Sequence, residues 1–128
     1  MDKDITLACV GSSTTAAKGT FNWIDSLQKR PQNKQVQFLN FGVGGDLSYN
    51  ALQRLPDAIK TQPDKVLIII GTNDILAMVF PNVKRIYARW KHLPQEPSVA
   101  WFKKNLQDMI RQLKTKTHAK IAVASLAE

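Results

Sequence analysis

Apolar residues along this chain fall into short dense runs, separated by longer segments in which they recur at helical spacing. The runs "ITLACV" (5–10), "VQFLNF" (36–41), "KVLIII" (65–70) and "KIAVAS" (120–125) each read as a strand. They are apolar throughout rather than alternating, as expected of strands covered on both faces. A helix from about 17 to 29 would put Phe21, Ile24 and Leu27 on one face. A second, from about 48 to 60, carries Leu52, Leu55 and Ile59, with Ser48 as its expected cap and Pro56 expected to kink or divide it. The clearest helix runs from about 98 to 115 on Phe102, Leu106, Met109, Ile110 and Leu113. Residues 75 to 97 contain Pro81, Pro94 and Pro97 and read as irregular.

Strands that alternate with helices pair in parallel through right-handed crossovers. The expected fold is therefore α/β, a three-layer α/β/α sandwich around a parallel sheet. A length of 128 residues suits a single domain spanning 1–128. No internal repeat or low-complexity segment interrupts it.

In such a sheet, chemistry gathers at the carboxyl ends of the strands, near the point where strand order reverses. Three of those ends are rich in small and polar residues: "GSSTT" (11–15), "NFGVGGDLS" (40–48) and "GTNDI" (71–75). A strand-to-helix turn needs Gly and a capping side chain, which explains each loop alone. It explains the three together poorly, and it does not explain Asn40, which precedes its glycines. A dinucleotide fingerprint fails because its third glycine would fall on Leu47. A phosphate loop fails because Ala16 and Ala17 occupy its Gly and Lys positions. A looser phosphate site on the hydroxyls of 12 to 15, in a flavodoxin-like nucleotide binder, is a minor reading.

Composition narrows the partners. The net charge is +8, from 18 Lys and Arg against 10 Asp and Glu. The cations are spread over several segments, so nucleic acid is not an expected partner. The densest run, "KRIYARWKH", sets Lys84, Arg85, Arg89 and Lys91 among Tyr87 and Trp90 and reads as a solvated amphipathic segment. Cys9 is the one cysteine, so there is no internal disulfide, and its apolar setting marks a small buried hydrophobe. Two distant histidines and no acidic cluster give no metal constellation, and no cofactor is expected. The longest apolar runs are too short to span a bilayer, and the N-terminus has no signal-peptide pattern, which makes the cytoplasm the default location.

Taken in order, the three loops resemble the first three sequence blocks of the SGNH hydrolases, also called the GDSL esterase/lipase family. The likeness covers nearly the whole chain, and "GTND" is its most specific part. The resemblance implies a flavodoxin-like SGNH fold with four of the usual five strands, and a serine ester hydrolase acting on a small-molecule ester, acetylated sugar or lipid. It aligns Ser13 with the nucleophile and assigns the oxyanion hole to Ser13, Gly45 and Asn73. The chemistry suits those residue types. A tetrahedral oxyanion needs donors fixed in advance, glycine lets the main chain approach closely, and a carboxamide offers an N–H that a carboxylate cannot. Asp74 is expected to cap the following segment or orient its loop.

Two departures qualify the resemblance. Ser12 stands where the first block usually has Asp, which alters the loop around Ser13. The family's base lies in a D-x-x-H block near the C-terminus, and no such pattern occurs among the 128 residues, which are read as lacking the block with the catalytic Asp and His. His118 precedes the fourth strand and belongs at the opposite end of the sheet, some 15 Å away. His92 lies on the correct edge but nothing fixes it against Ser13. This piece is therefore expected to turn over weakly or not at all, with a non-catalytic anion- or ligand-binding module on the same scaffold as the alternative. The fourth strand is expected to leave an open edge, which invites self-association or pairing with another chain. Met78, Phe80, Tyr87 and Trp90 either wall an acyl site or pack onto the sheet.

Overall fold

Four parallel strands form the centre of the computed structural model, which describes residues 4–124. They are β1 (Ile5–Gly11), β2 (Val36–Gly42), β3 (Lys65–Ile69) and β4 (Lys120–Val123), in spatial order β2-β1-β3-β4. Residue 125, assigned to the last strand from sequence, lies outside the described residues. From β1 the chain steps outward to β2, then returns past β1 to β3 and on to β4. Right-handed crossovers therefore put the first connection on one face and the other two on the opposite face. That reversal makes the carboxyl ends of β1 and β3 the switch point.

The helices follow this division. The first connection holds α1 (Ser13–Ala16) and α2 (Trp23–Gln28), both packed on β2. The other face is covered by α3 (Ser48–Lys60) and α6 (Val99–Lys116), which also pack on each other. The core lies beneath them. Ala8, Val10, Val66, Ile68 and Ile70 meet Ala51, Leu55 and Ala58 of α3 and Met109 and Leu113 of α6. Burying a side chain such as Leu55, Ile68 or Met109 stabilises the fold by about 1.5–3 kcal/mol. Ser98 caps α6 by accepting from the Trp101 N–H at 3.1 Å.

Several expectations are corrected. The helix expected over 17–29 is only the shorter α2, because α1 lies before that span and Ala17, left-handed at φ 54°, ends it and turns the chain into a loop. Phe21 sits in that loop, 76% exposed, and forms no part of a core-facing stripe. Pro56 neither ends nor splits α3, which is continuous through it. It lies on the exposed side, where water can hydrate the carbonyl it leaves unpaired. The segment expected to be irregular contains two helices, α4 (Thr72–Val79) and α5 (Pro81–Trp90). Pro81 opens α5 at its first turn, where the missing N–H has no intrahelical partner anyway.

The strand β4 is the sheet's outer edge and is largely exposed, Val123 at 44%. Its apolar composition had suggested a covered strand. Among the described residues no helix is long and apolar enough to cross a membrane.

Candidate active site

The turns after β1, β2 and β3 meet at one edge because their strands are adjacent and in register. Gly11 is level with Gly42 on one side and with Ile69 on the other. The Val43 N–H donates to the Gly11 carbonyl at 3.1 Å, joining the first two turns. Gly42 lies so close to α1 that a Cβ there would run into the backbone of Ala16. Asn40 reinforces the same junction: its Nδ2 donates to the Thr15 carbonyl at 2.9 Å, and its Oδ1 accepts from the Gly42 N–H at 2.8 Å. This is the role of the asparagine that precedes the glycines.

Ser13 is the first residue of α1 and is exposed. Neither its side chain nor that of Ser12 caps the helix, and among the described residues the Ser13 hydroxyl has no hydrogen-bond partner. Trp23 holds the turn from below, its Nε1 donating to the Thr14 carbonyl at 2.8 Å. A groove of about 380 Å³ runs beside Ser13, lined by Thr14, Lys18, Thr20, Phe21 and Trp23. At four residues, α1 is too short to offer a developed dipole to a nucleotide phosphate.

Gly45 occupies a buried turn at φ 79°, a region that favours glycine. A Cβ there would also run into the Trp90 ring. Among the described residues its N–H donates to no protein acceptor. The next residue, Asp46, has a side chain only 4% exposed and takes two cations: Arg54 Nε at 2.6 Å and Lys91 Nζ at 2.9 Å. Arg54 also donates to the carbonyls of Phe41 at 2.9 Å and Gly11 at 3.3 Å, so one side chain braces two strand ends and the Gly45 loop.

Asn73 is in the first turn of α4 and is 7% exposed. Gly71 precedes it at φ 132°, again a position for glycine. Asn73 Nδ2 donates to the Asp46 carbonyl at 3.0 Å, and its Oδ1 accepts from the Tyr87 hydroxyl at 3.0 Å. An amide nitrogen carries two hydrogens. The second meets no acceptor among the described residues. Asp74 does not cap its own helix. Its carboxylate reaches α3 instead, accepting from the Ser48 N–H at 2.9 Å and the Ser48 hydroxyl at 2.6 Å. Ser48 is thus the capped residue rather than the cap. Burial holds the Asp74 carboxyl above the ordinary 3.8, while the Ser48 hydrogen bonds pull it down.

These contacts put the Gly45 and Asn73 turns in direct hydrogen-bonded contact and bind the Ser13 turn to the strand that leads into Gly45. The GDSL-like lipase/acylhydrolase family model matches residues 9–127. The chain belongs to this family. No functionally curated protein matches it. Among solved structures, TesA is 28% identical with a TM-score of 0.71, over 94% of this chain and 60% of that one. AlinE4, described as an SGNH-hydrolase family esterase, is 20% identical with a TM-score of 0.71, over 96% of this chain and 59% of its own. Axe2, an acetylxylan esterase from Geobacillus stearothermophilus, is 16% identical with a TM-score of 0.73, over 95% and 59%. The latter two likenesses bear on the fold alone. This GDSL-like chain thus spans about three-fifths of the length of each.

Within this member of the family, both histidines lie apart from Ser13's hydrogen bonding. His118 precedes β4 and so lies at the amino end of the sheet, opposite Ser13. His92 is exposed just past α5 at φ 53° and makes no hydrogen bond to Ser13. Sequence reasoning does not single out Asp46 or Arg54, gives Tyr87 only as a wall or packing residue, and reads Lys91 as part of a solvated segment. Tyr87 and Lys91 lay in the segment taken as irregular. Their one signal was Pro81, which starts a helix as readily as it breaks one.

Proposed function

We propose that this chain carries the nucleophile and the oxyanion hole of a serine ester hydrolase. Ser13 is the nucleophile, and the oxyanion donors are the N–H groups of Ser13 and Gly45 and the carboxamide of Asn73. The supporting observation is a pair of unspent donors among the described residues: the N–H of the buried Gly45, which meets no acceptor there, and the second Nδ2 hydrogen of an Asn73 whose carbonyl end is tied elsewhere. Both donors are therefore free to bond an oxygen that arrives with the substrate.

In this reading the Ser13 oxygen attacks the acyl carbon and the carbonyl oxygen becomes an oxyanion held by those donors. Collapse expels the alcohol, and water then cleaves the acyl-serine. The serine proton ends on the departing alcohol and needs a base to carry it there, and the described residues offer no histidine bonded to Ser13. Oxyanion binding without the base still exceeds water by roughly 10³–10⁴, so slow turnover is expected of this chain. The groove beside Ser13 is sized for a small acyl or alcohol group.

The lack of a histidine at Ser13 also favours a second reading, a ligand-binding module without turnover. A serine-directed fluorophosphonate separates the two. Labelling of Ser13, lost in Ser13→Ala, supports the hydrolase; an unlabelled wild-type chain supports the binding module.

A further inference from the structure

We propose that Tyr87 is a positioning residue for the oxyanion hole, setting which end of the Asn73 carboxamide faces the reacting oxygen. This rests on the hydrolase reading above. A carboxamide can be turned end for end with little change in shape, and only one orientation donates. Here two contacts choose it. The Asp46 carbonyl can only accept, so it selects the Nδ2 end at 3.0 Å. The Tyr87 hydroxyl donates to Oδ1 at 3.0 Å and holds the carbonyl end away. Turning the amide over would set two oxygens against each other at Asp46. Without the Tyr87 hydroxyl, Oδ1 loses its only donor among the described residues, at a site 7% exposed, and rotation costs less.

The helix carrying Tyr87 is built for this role more than for the core. None of its residues is buried, and it packs chiefly on α4. Its inner side is nevertheless tied to the site at four further points. Trp90 covers Gly45, Lys91 Nζ donates to the Gly44 carbonyl at 2.7 Å and pairs with Asp46, and Asn50 Nδ2 donates to the Lys91 carbonyl at 3.0 Å. Tyr87 and Trp90 are themselves in tilted contact, with ring centroids 5.7 Å apart. This segment thus braces the Gly45 and Asn73 turns.

The test is a double-mutant cycle on the rate of Ser13 phosphonylation by a fluorophosphonate, which also develops charge on oxygen. Asn73→Ala is expected to slow the maximal labelling rate about 10²–10³-fold. Tyr87→Phe is expected to slow it about tenfold, with half-saturation unchanged. Tyr87→Phe added to Asn73→Ala is expected to do nothing further. A slow Asn73→Ala with a Tyr87→Phe at wild-type rate overturns this inference and leaves the hydrolase reading intact. An additive Tyr87→Phe effect in the Asn73→Ala background overturns it too, since a merely structural loss acts without the amide. Wild-type labelling that Asn73→Ala leaves unchanged, or no labelling at all, overturns both. Independently of activity, the Asn73 side-chain amide protons should exchange with solvent faster in Tyr87→Phe; unchanged exchange contradicts the positioning role.

Discussion

Lys91 and Asp46 form an ion pair with side chains only 10% and 4% exposed, linking the end of α5 to the loop that carries Gly45. The lysine came from a segment whose charge suggested a solvated face, and burial against Asp46 removes it from that face. Replacing it by methionine keeps the apolar stem and removes the cation. Asp46 then retains Arg54, so the cost should be about 1–3 kcal/mol rather than the larger loss of an unpaired buried charge. Urea unfolding of Lys91→Met measures it, and Asp46→Ala should cost more because it strands both cations.

Asp74 makes stability depend on pH in an unusual direction for a hydrogen-bonded carboxylate. Burial raises its folded pKa above the ordinary 3.8. Between the unfolded and folded values the native state holds the extra proton. The stability contributed by that proton is present below the unfolded value and lost as pH rises through the folded one. Relative to Asp74→Asn, the wild-type chain should therefore lose stability as pH is raised from below the ordinary carboxylate value through the folded one. Urea midpoints of the two proteins across that range check it, and a relative gain for wild type would mean that the Ser48 hydrogen bonds outweigh burial.

Cys9 is 1% exposed, and burial pushes its thiol up to about 11. Both effects suppress the thiolate that alkylating reagents need. Iodoacetamide at mildly alkaline pH should leave native Cys9 unmodified for hours and label it promptly in denaturant, as mass spectrometry would report.

Gly45 combines a left-handed backbone with contact to the Trp90 ring. Gly45→Ala should cost about 1–3 kcal/mol from backbone strain and the clash together. In a Trp90→Ala background the ring clash disappears, leaving the strain and a milder contact with the Lys91 stem, so the two substitutions should be clearly non-additive by thermal or urea unfolding.

The parallel sheet and its two long helices were legible in the sequence because apolar runs and helical spacing both report burial. Met109 and Leu113 announced α6 in this way. Legibility failed where burial is slight. Helix α5 has no buried residue, so periodicity gave no signal strong enough to offset three prolines. The first helix failed for the opposite reason: Phe21 is at helical spacing with Ile24, but Ala17 has already turned the chain. At the candidate site, it was the resemblance to the SGNH sequence blocks that pointed to Ser13, Gly45 and Asn73. Their supports were illegible because they are long-range pairings. Nothing in the sequence links Tyr87 to Asn73, Lys91 to Asp46, or Asp74 to Ser48.

The central claim is that one oxygen can be held by the turns after three different strands. A crystal structure of the chain with Ser13 phosphonylated by a fluorophosphonate tests it most directly. The account predicts a phosphonyl oxygen within hydrogen-bond distance of the Gly45 N–H and Asn73 Nδ2, with Tyr87 still bonded to Oδ1. An adduct whose oxygen points to solvent, with the Gly45 and Asn73 donors still idle, would contradict it.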